Sequence, residues 1–371
     1  MKKILILFWL LSNVNLVFCM QENLEDIQEY FENIDINNQY DNGDTDLIKA
    51  IRNNNIQELE LLLSNFNIDI NIQNKEGNTA LIFAAYHGYL KMVELLLNHP
   101  KIDVNIKNKD GDTALILAAY RKHTKAVELL LMCNQIDINN KDNDGDTALI
   151  SAANNGYTKI VKLLLMHYKI KVNIKNKNKG SALIFAALKG HIEIIELLLG
   201  HPKIDVNIKD QNGDTILIRA AKNGNSKIVE LFLNHPKIDV NIQNKFGITA
   251  LMRAVTAQSQ HGQIVKLLLN HPKIDTSIQD KEGFSALKMA ITVDNKEKIN
   301  CFEDYLKKLN DKELETNLEI NNVLVNNMPK VIIPMIIGYG SEFPKEENKI
   351  MEHYKYVNEI KKRSFFSCII L

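Results

Sequence analysis

At 371 residues, with 45% hydrophobic and 24% charged side chains, the chain is long enough for one extended domain with flanks. Its 45 basic and 45 acidic residues cancel, so no global field draws it toward nucleic acid or anionic lipid. The four cysteines, Cys19, Cys133, Cys301 and Cys368, show no C-x-x-C spacing and no dense framework, which argues against a disulfide scaffold and a structural zinc site.

Residues 1–20 read as a signal peptide. Lys2 and Lys3 form a charged start, and Ile4 to Leu11 is an apolar run too short to span a bilayer, which needs about 20 residues. Cleavage near Cys19 is expected. A lipoprotein anchor on Cys19 is the sharper alternative, but Phe18 stands where a small residue is wanted. Residues 21–42 are acidic and polar, with one amphipathic turn around Ile27, Tyr30 and Phe31.

From residue 43 the chain repeats. A hydroxyl residue recurs at Thr45, Thr79, Thr113, Thr147, Ser181, Thr215, Thr249 and Ser285, at intervals of 34 residues until a last interval of 36. A leucine follows two places after each, from Leu47 to Leu287. A fixed period of this length means stacked supersecondary units. Within the copy at 77–110, Gly77 is a turn residue and Thr79 sits where a helix N-cap belongs. Ala80 to Tyr86 is expected to form a short helix ended by Gly88. Leu90 to Leu97 is expected to form a second, with Met92, Val93, Leu96 and Leu97 on its apolar face. Pro100 prevents continuation, and Ile102 to Lys107 alternate like a short extended arm. Helices this short are unstable alone in water, so leucines and alanines must be buried against neighbouring copies.

The pattern G-x-T-A-L-x-x-A-A-x-x-G, V-x-L-L-L and I-D-V-N at 77–105, repeated at 111–139 and 213–241, resembles the ankyrin repeat. The resemblance covers 43–309 in about eight units, with the first and last as caps. It implies an all-α solenoid of paired short helices joined by turn and hairpin loops. The family's T-P-L-H is altered, with Ala80 and Ile82 in place of its proline and histidine. Packing by Ile82, Ile116, Ile150, Ile184 and Ile218 is expected to compensate. Two irregularities stand out. The glycine of Lys179-Gly180-Ser181 falls one place late, and Thr256 to Gly262 carries two extra residues between helices. In the eighth copy Ser285, Leu287 and Ala290 persist while the L-L-L block is lost.

Residues 310–371 lie outside the frame. Met328 to Tyr339 is an apolar segment, read first as a cover for the last repeat. Met328, Pro329, Ile332, Ile336, Ile337 and Tyr339 also resemble the start of an F-box, against which stand Val331, Gly340 and the helix-breaking Pro334. The chain ends Cys368-Ile369-Ile370-Leu371, a C-a-a-X form associated with geranylgeranylation, with Lys361, Lys362 and Arg363 just upstream. One lipid and a basic cluster together make a stable membrane anchor. Export conflicts with prenylation, and both can hold if a bacterial protein is exported and then delivered into a eukaryotic host cell.

No catalytic motif is present. Asn140 to Gly145 imitates a calcium loop but has Asn140 and Ser151 where an EF-hand needs carboxylates. His99, His201, His235 and His271 sit one per copy, too far apart to share an ion. Cys133 falls at a helix end and is structural. We therefore expect a secreted scaffold that binds another protein, an effector in a eukaryotic host. The expectation includes a monomer, no cofactor, no metal, no nucleic acid and no small-molecule substrate. The alternative is a lipid-anchored F-box-like ubiquitin-ligase adaptor. The resemblance implies contacts through the turn tips, Asn78, Asp112, Asp146 and Asp214, with Gly180 at the shifted turn. It also implies contacts through the ends of the first helices: Tyr86 and His87, Tyr120 and Arg121, Asn154 and Asn155, Leu188 and Lys189, Lys222 and Asn223. Membrane contact would need lipid on Cys368.

Overall fold

The computed structural model describes residues 36–257, 261–293 and 295–309. The expected signal peptide, F-box-like stretch and C-a-a-X end lie outside the described residues. No helix among the described residues is long and apolar enough to cross a membrane.

The helices come in pairs at the expected places. They are α1 (Asp46–Arg52) and α2 (Ile56–Leu63), α3 (Ala80–His87) and α4 (Leu90–Leu97), α5 (Ala114–Tyr120) and α6 (Thr124–Leu131). Next come α7 (Ala148–Asn154) and α8 (Thr158–Met166), α9 (Ala182–Lys189) and α10 (Ile192–Leu199). Then follow α11 (Ile216–Asn223) and α12 (Ser226–Leu233), α13 (Ala250–Thr256) and α14 (Gly262–Leu269), α15 (Ala286–Thr292) and α16, a helix over 296–309. The chain divides into two compact units between Ile216 and Leu217, within α11.

The hydroxyl that marks each copy caps its first helix. Thr79 Oγ1 accepts from the Ile82 N–H at 3.2 Å, and Thr45, Thr113, Thr147, Ser181, Thr249 and Ser285 repeat the bond. Each satisfies an orphan donor, typically about 1 kcal/mol of helix stability. The leucine two places on is buried at Leu47, Leu81, Leu115, Leu149, Leu183, Leu217 and Leu251, as are the five isoleucines replacing the family's histidine. Within residues 36–216, α1, α3, α5, α7 and α9 pack in succession, and α2, α4, α6, α8 and α10 form the second layer. Within 217–309, α13 packs on α15 and α12 on α14. Leu287 is only half-buried, in keeping with a worn last copy.

At the turn, Gly77 has φ of +80° and its missing Cβ would meet the backbone nitrogen of Lys109 at 2.8 Å. Glycine is therefore needed twice over, for conformation and for close approach. In the irregular copy the left-handed place falls to Lys179, at φ of +58°, while a Cβ on Gly180 would meet the Phe185 ring. The shifted turn is thus a local compromise, as the sequence predicts.

The arm at 102–107 is not extended strand. Among the described residues only isolated bridges occur, Lys209 with Thr215 and Gln279 with Ser285. The arm turns because the Asp103 carboxylate accepts the Asn105 N–H at 2.9 Å. Asn105 then reaches the following copy, accepting from the Asp137 N–H at 2.8 Å and donating to the Gln135 carbonyl at 2.8 Å. Asn71 and Asn139 do likewise. The same frame already operates at 36–42, ahead of the expected boundary at 43. Asn37 accepts from the Asp69 N–H at 2.8 Å, and Gln39 donates to the Gln73 carbonyl at 2.8 Å.

Leu183→Ala should cost about 2–5 kcal/mol in urea denaturation, as large-to-small core changes do. A loss under about 0.5 kcal/mol, the range of surface substitutions, would contradict the register.

Candidate protein-binding face

The expected contact residues divide into two groups with different surroundings. The turn tips are engaged with the copy that follows. Asn108 donates its amide to Asn78 Oδ1 at 3.0 Å, and Asn176 donates to Asp146 Oδ1 at 2.8 Å. Backbone bonds join successive tips, Lys109 N–H to the Glu76 carbonyl at 3.0 Å and Asn143 N–H to Asp110 at 2.8 Å. Asn78, Asp112 and Asp146 are half-buried, and Asp214 is buried. Gly180 is buried as well.

Asp112 is the exception to this ladder. The residue facing it in the next copy is Asp142, where Asn108 and Asn176 stand in their own copies. Two carboxylates thus replace an amide–carboxylate pair. Burial, then the charges of Asp142, Asp110 and Asp144, push Asp112 up to about 6. Asp146 is also raised, by burial first and then by Asp142 and Asp144, against the downward pull of the Asn176 amide.

The helix ends are more open, and three copies place aromatic and cationic side chains together there. The Arg121 guanidinium lies 4.1 Å above the Tyr86 ring centre and donates through Nη2 to the Tyr86 hydroxyl at 2.6 Å. His87 stands edge-on to Tyr86 at 5.0 Å and stacks on Tyr89 at 5.3 Å. Burial, then the positive charges of Arg121 and Arg52, keep its imidazole below the ordinary range. Tyr120 is 53% exposed. His123 fixes the strip from below, its ring 3.0 Å from the Tyr86 carbonyl and packed where Gly88 lacks a side chain. Any Cβ on residue 88 would meet that ring, so the glycine sets the position of the face.

One further member of the face, Arg52, was not among the residues expected from sequence. Arg52 occupies the frame position of Tyr86 one copy earlier, and its guanidinium lies 4.2 Å over the Phe83 ring. Arg52 is also held by Asp44 at 2.8 Å and Glu76 at 3.7 Å. The common frame position was the available signal. The remaining candidates are more dispersed. Asn155 is exposed, with its amide turned back to the Ser151 carbonyl at 2.9 Å, and Asn154 is half-buried. Leu188 is 41% exposed and Lys189 exposed. Lys222 and Asn223 are exposed on the other unit.

No group of three or more histidine, cysteine or acidic side chains able to hold a metal occurs among the described residues. Burial raises the thiols of Cys133 and Cys301, which disfavours the reactive thiolate.

The chain matches a family model described as ankyrin repeats (3 copies), over residues 16–108, 100–176, 168–244 and 236–303. Similar solved structures include the ankyrin repeat protein EF0377, 30% identical with a TM-score of 0.50, covering 55% of this chain and 100% of its own. They also include the ankyrin repeat domain of Bcl-3, a member of the IkappaB family. It is 25% identical with a TM-score of 0.55, covering 62% of this chain and 99% of its own. No curated protein matches the chain in sequence.

Asp142→Asn should restore the amide donor while keeping the oxygen that accepts from the Asp144 and Asp146 N–H groups. At pH 7 we expect a gain of about 1 kcal/mol, the usual net worth of one such bond. Because the folded Asp112 pKa is raised, its ionisation opposes folding increasingly as pH climbs from about 4 to 6. The gain should therefore shrink on acidification through that window, measured by denaturation at several pH values.

Proposed function

Since the chain belongs to the ankyrin repeat family, we propose that it acts by binding another protein through the first-helix ends of its early copies. The observation that carries this is the Arg121 guanidinium stacked on Tyr86 and bonded to its hydroxyl, beside the exposed Tyr120. Tyrosine and arginine dominate interface energetics because they combine large apolar area with donors. Here the arginine is already ordered before a partner arrives, which lowers the entropy lost on binding. The turn tips contribute less, since their side chains are committed between copies. Contacts along Asn154, Asn155, Leu188 and Lys189 would extend the face.

Full-length protein used as bait should capture a partner, and the triple variant Tyr86→Ala, Tyr120→Ala, Arg121→Ala should bind it at least about tenfold more weakly, about 1.4 kcal/mol. Unchanged affinity in a variant with wild-type circular dichroism would move the face elsewhere.

We further propose export through residues 1–20 and an effector role in a eukaryotic host, with lipid on Cys368. These readings rest on sequence alone. Expressed in a eukaryotic cytosol without residues 1–20, the protein should fractionate with membranes, and Cys368→Ser should release it. An unmodified Cys368 still followed by Ile369 to Leu371, seen by mass spectrometry, would end the lipid proposal.

A further inference from the structure

A cavity of distinctive chemistry lies beside Ala257 and His261, which flank the break in the 34-residue frame. Lys222, Asn223, Arg253, Thr256, Ala257 and His261 line a partly open space of about 420 Å³. Three of the six lining residues are basic and none is acidic.

Ala257 departs from the frame's usual backbone beside this space. In earlier copies the residue after the first helix, Asn53, Arg121 or Asn155, stays near-helical, with ψ between −2° and 4°. Ala257 occupies that place in the seventh copy and is extended instead, with ψ of 166°. The backbone at Ala257 therefore departs from the near-helical exit used elsewhere. Lys298 pins this exit. Its side chain is 0% exposed, and its ammonium donates to the Val255 carbonyl at 2.8 Å and the Ala257 carbonyl at 2.5 Å. His261 is buried over Gly224, where a Cβ would meet its ring.

Into this space come two permanent cations. Arg253 takes the frame position that Phe83, Leu117, Ser151 and Phe185 hold in earlier copies and Arg219 in the copy before, and Lys222 takes the position of Tyr86 and Tyr120. The Arg253 Nε is buried and meets no acceptor among the described residues. Neither Arg253 nor Lys222 makes an ion pair among them. The nearby carboxylate of Glu297 rests against Gly262 and is not part of the lining. A buried guanidinium donor without an acceptor costs free energy comparable to a lost charged hydrogen bond, unless a ligand supplies the oxygen.

We propose that this cavity is an anion site that takes a phosphate monoester carried on a side chain of the bound partner. The charge argument favours phosphate over carboxylate. A phosphorylated side chain carries about −1.5 to −2 charges at pH 7, matching Lys222 and Arg253 together, whereas a carboxylate leaves one cation uncompensated. The planar fork of arginine suits bidentate contact with phosphate oxygens, and lysine adds a point charge. The Asn223 amide supplies a further donor at the rim. This inference rests on the protein-binding reading above and names one chemical group that the partner would present.

Calorimetry on the full chain tests it with three probes: inorganic phosphate, a short phosphoserine peptide and the same peptide unphosphorylated. The expected result is saturable binding of one phosphate per chain, with the phosphopeptide tighter and the unphosphorylated peptide at least about tenfold weaker. Arg253→Met and Lys222→Met should each weaken phosphate at least about tenfold, and Arg253→Lys by less. Lys159→Met, an exposed lysine on a second helix and outside the proposed binding face, should change nothing. Circular dichroism of each variant guards against misfolding. Absence of saturable phosphate binding, or binding that survives Arg253→Met in a folded variant, overturns the site. A phosphopeptide no tighter than inorganic phosphate overturns its assignment to a partner side chain. Failure of the phosphate test with continued partner loss in the Tyr86, Tyr120, Arg121 variant would leave the main binding face standing.

Discussion

Helices with named ends in this protein run from seven to nine residues, well short of the roughly 12–15 that are already marginal for an isolated helix in water. Stability therefore has to come from one copy meeting the next in a single register. Buried leucines supply the area, but area alone would tolerate slippage. The asparagines at 71, 105 and 139 remove that tolerance, because each amide both accepts and donates across the boundary between copies. A shift of one residue would break several of these solvent-exposed bonds, each with a net worth of about 0.5–1.5 kcal/mol. The frame is thus a hydrogen-bond constraint as much as a hydrophobic one.

That constraint sorts the surface. Turn residues that look free in sequence, such as Asn78 and Asp146, are held by the amides of the following copy. The last residues of the first helices have no such duty, and there the side chains change from copy to copy: arginine, tyrosine, tyrosine, asparagine, leucine, lysine. Variation tracks release from packing. Where two neighbouring copies both place large polarisable groups, as with Tyr86 and Arg121, an ordered patch results without any contribution from the core.

Much of this was legible in the chain itself. The Thr and Ser positions marked the N-caps, Leu90 and Leu97 marked both ends of α4, and the misplaced Gly180 foretold an altered turn. The fate of the I-D-V-N arm was not legible, because apolar–polar alternation also arises when Val104 is buried from a turn held by Asp103. The frame ahead of residue 43 was legible and passed over: Ile34-Asp35-Ile36-Asn37 repeats Ile68-Asp69-Ile70-Asn71 at the same 34-residue offset. Pairing across copies, such as Arg52 over Phe83, depends on which neighbouring side chain lies within reach, and a single-sequence reading carries no such distance.

Local agreement with the frame is so regular that its violations become informative. Three stand out among the described residues, and they differ in kind. Lys179 in a left-handed conformation is a simple backbone strain, offset by the Phe185 ring filling the space beside Gly180. Asp142 opposite Asp112 is an electrostatic violation, with repulsion where other copies have a bond. The departure at Ala257 is different, because the surrounding structure is built to hold it: a fully buried lysine binds the Val255 and Ala257 carbonyls. Strain that drifts in is left exposed or is relieved by neighbours, as at Lys179. A deviation buttressed by a buried cation, and opening onto an arginine without an acceptor, is arranged for something outside the chain to complete.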